Sequence, residues 1–296
     1  MVGQKEVSIQ MPEKVSSIRR LTKFYGERFS SLERVIQPLA AQGLDTEHLR
    51  ASDIYTRSLD CQNLGSYAML DVLASVASEY GTLGSEDKVL DVGCGLGGPG
   101  RFLVDRFGCS MVGIDLVPLR TEIAQALTEK TGLRAKISYR VGDATDLPFD
   151  DASFAQAWML DVSMHIRDKK ALFGEIARVL QPGGLMVMHE QLAPLPKLLL
   201  PITRQTPWIA PSLPQLIRYV DEAGLRVLTW RDTTPRILEY FQQIKASMQS
   251  APSTADQGVP SALAIVDGYI ETFSNLGGRT GILTARRGGC DKRPRG

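Results

Sequence analysis

Val89-Leu-Asp-Val-Gly-Cys-Gly-Leu-Gly-Gly98 is an apolar run that breaks directly into glycines. Lys88–Val92 predicts a buried strand, and glycines at its carboxyl end permit the tight turn and close ligand approach by which open α/β sheets take up small molecules. Asp91 stands two residues before the first glycine. Dinucleotide-binding turns space their glycines as Gly-x-Gly-x-x-Gly without such an acid, and the Lys-Ser/Thr of a phosphate-binding loop does not follow here. An acid beside the glycines suits a ligand carrying a cation, such as the ammonium of an amino acid, better than a pyrophosphate.

Outward from this turn, strands and helices alternate. A helical segment near 100–107 leads to a strand over 110–114, a helix over 118–131, a strand over 137–141, a strand over 154–158, a helix over 169–180 ended by Pro182-Gly-Gly, and a strand over 185–189. That rhythm predicts a parallel sheet covered on both faces. The apolar, proline-rich stretch 194–214, with Leu198 and Trp208, reads as an insert over the carboxyl edge of the sheet. Beyond it lie a helix over 213–223, a strand over 225–229, helices over 235–250 and 262–275 flanking a loop, and a last strand over 280–285. On the amino-terminal side, apolar residues at helical spacing (Ile18, Leu21, Phe24, Tyr25; Leu32, Val35, Ile36, Leu39) predict helices within 15–50, the first capped by Ser16 or Ser17, and 67–80 predicts another.

Two further acids follow strand ends in order. Asp115 closes Gly113-Ile-Asp, where a carboxylate with several lone-pair sites can accept both hydroxyls of a ribose. Gly142-Asp143-Ala144 puts an acid and a backbone N–H where an adenine edge can be read. Together with Leu147-Pro-Phe-Asp-Asp-Ala-Ser-Phe-Ala155 and Arg178-Val-Leu-Gln-Pro-Gly-Gly184, these motifs resemble those of the class I S-adenosylmethionine (SAM)-dependent methyltransferases over roughly 60–190, and more particularly the phosphoethanolamine and sarcosine/dimethylglycine methyltransferases. The resemblance implies a Rossmann-like, mostly parallel seven-stranded sheet with helices on both faces. It divides the chain into an amino-terminal helical lid (1–80), a SAM-binding core (81–192), an insert with the carboxyl-terminal part of the sheet (193–290), and a basic tail (291–296). It also implies that Gly93, Gly95 and the adjoining loop pack on the methionine part of SAM, that Asp115 holds the ribose and that Asp143 and Ala144 address adenine, with Asp91, Cys94, Leu116, Gly142 and Leu160 as further cofactor-binding residues.

Trp158-Met-Leu-Asp161-Val-Ser-Met-His165 follows strand four and should face the methyl donor. A spacing of four turns both side chains the same way if a helical turn follows, so Asp161 is expected to orient His165, which would act as acid or base. His189 and Glu190 form a rival pair, disfavoured because neighbours on a strand point to opposite faces. The resemblance implies a lid tyrosine against the histidine, Tyr55 first and Tyr25 second. It implies too that Asn63-Leu-Gly-Ser-Tyr67 closes over the carboxylate of SAM.

The expected reaction is methyl transfer to a small molecule, N-methylation favoured and O-methylation open. The alternative is C-methylation of an isoprenoid diphosphate, with a cation held by Trp208, Tyr219, Trp230, Tyr240, Phe241, Tyr269 or Phe273 and the diphosphate by Arg204, Arg218, Arg231 or Arg236. A SAM-binding protein without methyl transfer, and a nicotinamide dehydrogenase, are the lesser readings. A formal charge of +1 across 296 residues points away from nucleic acid and anionic membranes. Four cysteines at 61, 94, 109 and 290 and three histidines form no metal-ligand spacing, so no metal is expected. With no signal peptide or apolar span, a cytoplasmic protein is expected, and a homodimer is compatible with the sequence.

Overall fold

The alternation from residue 88 onward becomes a single seven-stranded sheet in a computed structural model that describes residues 21–27, 30–61, 63–193, 209–250 and 262–288. The strands are β1 (Lys88–Val92), β2 (Ser110–Asp115), β3 (Ile137–Val141), β4 (Phe154–Leu160), β5 (Leu180–Leu192), β6 (Leu225–Asp232) and β7 (Arg279–Arg287), in the order β3-β2-β1-β4-β5-β7-β6. All neighbours among β1–β5 are parallel, whereas β7 runs antiparallel to both β5 and β6. The order reverses beside β1, and such a switch point opens a crevice at the carboxyl ends of the strands.

Helices α1 (Leu32–Ala40), α2 (Ala51–Tyr55) and α3 (Ser66–Ser78) precede the sheet, and α4 (Gly98–Phe107), α5 (Pro118–Lys130), α6 (Lys169–Val179), α7 (Leu213–Glu222), α8 (Thr234–Ser250) and α9 (Ala262–Ser274) connect its strands. Their ends obey local chemistry. The Ser31 and Asp168 side chains accept from the backbone N–H of Arg34 and Ala171, and Gly97 and Gly108 take left-handed conformations at the two ends of α4. One core fills the face beneath α3 and α4, with Leu70, Leu73, Phe102, Trp158 and Val187; the other fills the opposite face beneath α6 and α7, with Phe173, Ile176, Leu216, Met159 and Met186. A third cluster of Val35, Leu39, Ile54, Leu96 and Leu127 fastens α1 and α2 to the glycine turn and α5.

Strands β4 and β5 are longer than the sequence pattern predicts. Pro182-Gly183-Gly184, read as the end of the preceding helix, lies inside β5, with Gly183 at φ +81° and a register shift between Phe154 and Gln156 absorbing the irregularity. The segment ahead of α1 is a π-helical turn, Thr22–Glu27. The expectations for Ser16, Ser17, Ile18, Leu198, Arg204, Trp208, the loop after Ser250 and the basic tail lie outside the described residues. Among the described residues no helix is long and apolar enough to cross a membrane.

Candidate active site

The carboxyl ends of β1, β2, β3 and β4 open into a cavity of about 970 Å³, mouth included. All ten residues read from the motifs as cofactor ligands line it: Asp91, Gly93, Cys94, Gly95, Asp115, Leu116, Gly142, Asp143, Ala144 and Leu160. They converge because parallel neighbours bring their ends to one edge. Asp91 pairs with Gly113 of β2 and Trp158 of β4, and the Gly142 N–H donates to Asp115 O at the end of β2 (2.9 Å).

The turn after β1 is held by two N–H groups, of Gly93 and Cys94, donating to Ile114 O (2.8 and 3.0 Å). Gly93 sits at φ +70° and Gly95 at +55°. A Cβ on Gly93 would enter the side chain of Val162, and one on Gly95 would enter the guanidinium of Arg120, so both positions need glycine on steric as well as torsional grounds. Asp115 accepts from Gly95 N through Oδ2 and from Val117 N through Oδ1, each at 2.9 Å. Two donors leave an ionised carboxylate with lone pairs for a diol. Asp143 Oδ1 accepts from Thr145 N (2.9 Å) and Thr145 Oγ1 (2.7 Å), which fixes its orientation.

Asp91 is different. It is 1% exposed, and its Oδ2 has no hydrogen-bond partner among the described residues. Burial, reinforced by the negative charge of Asp115, pushes its carboxyl up to about 7. A buried carboxylate oxygen left without a donor is costly, and it is the feature expected where a cationic ligand supplies the donor.

His165 also lines the cavity, on a 3-10 turn, Ser163–His165, just after β4. Its Nε2 lies 2.7 Å from the hydroxyl of Tyr25. Burial raises the Tyr25 phenol to about 12, so the phenol keeps its proton. It donates to Nε2 when that nitrogen carries no hydrogen and accepts from Nε2–H when it does.

Two expectations are corrected. Tyr55 does not meet His165: its hydroxyl donates to Asp105 (2.7 Å), and its ring packs on Tyr67 and Phe102 in the core, so it is Tyr25 that meets the histidine. Asp161 does not orient His165. At φ +55° it turns back over the sheet, Oδ1 lying 3.0 Å from His189 Nδ1 and Oδ2 accepting from Leu64 N (2.7 Å). A spacing of four aligns two side chains only within one helix, and the short 3-10 turn begins two residues after Asp161. The residues named for the C-methylation alternative are described only in part, since Arg204 and Trp208 lie outside the described residues. Phe241, Tyr269 and Phe273 stack on one another, Arg231 pairs with Glu79 and Arg218 with Glu222, and none of these five lines the cavity. The pair His189 and Glu190 diverges as the strand geometry requires: His189 Nε2 meets Thr233 Oγ1 (3.0 Å) and Thr280 Oγ1 (2.8 Å), while Glu190 Oε1 accepts from Gln191 N.

The structure adds lining residues that the motifs did not single out, Asp60 and Arg120 among them. Arg120 is 8% exposed, its Nε 3.7 Å from Asp115 Oδ2. Asp60 accepts from Arg101 in a pair that is wholly buried. The signal for Arg101 was present, a charged residue inside Gly98-Pro-Gly-Arg-Phe-Leu-Val104, every member of which is buried. A cation in such a run demands a buried partner.

Residues 90–188 match the family model of the methyltransferase domain. The chain is 40% identical over 101 residues to the chloroplastic tocopherol O-methyltransferase of Arabidopsis thaliana, a match covering 34% of this chain and 29% of the relative. It therefore spans less than two thirds of the length of such curated relatives. In fold it is similar to the Haemonchus contortus phosphoethanolamine N-methyltransferase 2 solved with S-adenosyl-L-methionine (TM-score 0.70, 21% identity, covering 94% of this chain and 61% of the other). It is similar also to the geranyl diphosphate C-methyltransferase of Streptomyces coelicolor A3(2) solved with Mg2+, geranyl diphosphate and S-adenosyl-L-homocysteine (TM-score 0.67, 21% identity, 94% and 99%). At such identity the structures establish the fold alone. Residues 90–188 thus match a methyltransferase domain, and the chain as a whole shares the fold of these methyltransferases, in line with the expectation from the motifs.

Proposed function

We propose that this methyltransferase-domain protein transfers a methyl group from SAM to a small organic acceptor. The observation that carries the reading is the partnerless buried carboxylate oxygen of Asp91, in one cavity with Asp115 and Asp143. Asp91 would accept the ammonium of the methionine part, Asp115 the ribose hydroxyls, and Asp143 with Ala144 N–H the adenine edge. When bound, SAM supplies an electrophilic methyl group, so the demanding part of the chemistry belongs to the cofactor.

What remains for the chain is orientation, desolvation and one proton. Leu21, Val162 and Ile166 line the same cavity as His165 with apolar surface and would keep water from the acceptor. His165 would take the proton that an amine or hydroxyl must lose, and the Tyr25 oxygen would accept from Nε2–H to stabilise the imidazolium. A proton-accepting pair at the cavity supports N- or O-methylation. The C-methylation reading stays open: Tyr269, one of its aromatic residues, has its phenol raised by burial first and then by the ionisable groups of Tyr25 and Asp161 at the cavity, and so lies near them, and the acceptor screen below separates the two.

The test has two stages. Calorimetry with S-adenosylhomocysteine should show binding to the wild-type protein, and nicotinamide dinucleotides should give none. A screen of amine, phenol and prenyl-diphosphate acceptors, read by mass gain of one methylene, then identifies the acceptor class. Binding of a nicotinamide dinucleotide in place of the sulfur nucleotide would overturn the assignment.

A further inference from the structure

Arg120 occupies a position that helix energetics do not explain. It lies in the first turn of α5, where the helix dipole favours acids, and that turn contains none. It is nearly buried, and a buried guanidinium carries a desolvation cost that must be met by specific partners. Three of its contacts define a path. Its Nε approaches Asp115 Oδ2 at 3.7 Å. Its guanidinium crosses the glycine turn, where it takes up the space a Cβ on Gly95 would need. Its Cζ lies 4.6 Å from the centre of the Tyr25 ring, within cation–π distance. Tyr25 in turn reaches His165 at 2.7 Å, with the two rings edge to face at 5.5 Å. Asp115, Arg120, Tyr25 and His165 therefore form a continuous chain of contacts among residues that line the cavity.

We propose that Arg120 is a positioning residue that couples occupancy of the nucleotide site at Asp115 to the docking of the 22–27 segment, and through Tyr25 to the placement of His165. The inference rests on the function proposed above. Its physical basis is the shared use of Arg120. A diol on Asp115 changes what that carboxylate offers the guanidinium, and the same guanidinium packs on the ring of Tyr25. Thermodynamic linkage requires the effect to run both ways, so a docked Tyr25 must also tighten the nucleotide. The sulfur nucleotide would then bind first and prepare His165 for the acceptor. Arginine suits this place better than lysine because its planar group can face a carboxylate along one edge and an aromatic ring across its face.

The experiment uses S-adenosylhomocysteine and needs no acceptor. Hydrogen–deuterium exchange of residues 21–27 is measured with and without saturating nucleotide, and affinity is measured by calorimetry, for wild type, Arg120→Met, Arg120→Lys, Tyr25→Leu and the Arg120→Met/Tyr25→Leu double variant. In wild type the nucleotide should slow exchange in 21–27. In Arg120→Met and in Tyr25→Leu affinity should fall about tenfold, and the double variant should be little weaker than either single one, the non-additivity expected of residues acting through one contact. In Arg120→Met, saturating nucleotide should no longer slow exchange in 21–27, and Arg120→Lys should recover affinity only in part. Equal nucleotide protection of 21–27 in wild type and Arg120→Met, or additive losses in the double variant, would overturn the proposal. If Arg120→Met fails to fold, the comparison of Arg120→Lys with Tyr25→Leu decides it by the same criteria. Absence of nucleotide binding to the wild-type protein would instead overturn the function on which it rests.

Discussion

At the scale of single residues, the site is built from groups held in states they would not choose alone. Asp91 keeps its carboxyl raised to about 7 by burial and by Asp115. In the unfolded chain it ionises near 4, so between about pH 4 and 7 the folded protein binds the extra proton, and stability falls as pH rises through that window. Asp91→Asn should therefore raise the melting temperature at pH 8 by a few degrees, flatten its fall between pH 4 and 7, and weaken S-adenosylhomocysteine binding at least tenfold; calorimetry reads all three. In wild type, nucleotide affinity should climb as pH passes about 7, because only the ionised carboxylate meets an ammonium. His165→Ala should leave that affinity within about threefold but cut turnover by roughly 10²–10⁴, the usual contribution of a positioned acid or base. Tyr25→Phe, which keeps the ring on Arg120 and loses the hydroxyl, should lower turnover less. Asp91, Asp115 and Asp143 were legible in the sequence because each is tied to its own strand end. The partner of His165 was not, because Tyr25 and Tyr55 are equivalent until the chain folds.

At the scale of elements, the end of β4 is the joint of the site. Asp161 fastens it to the turn before α3 through Leu64 N and to β5 through His189. Asp161→Ala would leave two donors without an acceptor, one of them on a wholly buried ring. We expect a loss of about 2–4 kcal/mol in denaturant unfolding, from a cost of about 1–3 kcal/mol per unsatisfied group. Nucleotide affinity should fall as well, since Asn63 and Asp60 of the preceding segment line the same cavity. Sequence reasoning placed Asp161 and His165 on one face because it assumed a helix after the strand. The left-handed backbone at Asp161, which a non-glycine residue seldom adopts, redirects the acid to a neighbour 28 positions away.

At the scale of the whole molecule, the helices before the sheet and the sheet itself share one site, and a buried ion pair locks them together. Arg101 of α4 donates to Asp60 through Nε (3.1 Å) and Nη2 (2.8 Å), and also to Ala124 O and Thr128 Oγ1 on α5. Removing one member of such a pair strands the other, so Arg101→Met should cost about 3–5 kcal/mol in denaturant unfolding, and the double change Arg101→Met/Asp60→Leu should cost less than either alone. The sequence by itself determined the α/β class, the strand-turn-helix at the cavity and the acids Asp91, Asp115 and Asp143 along its edge, because strand periodicity and glycine turns are local and parallel strands must end together. Only the tertiary structure decided which tyrosine meets His165, that Asp161 belongs to His189, and that Arg101 and Arg120 bridge separate elements. Those contacts join side chains distant along the chain, and their partners are chosen by packing, which no spacing along a single chain encodes.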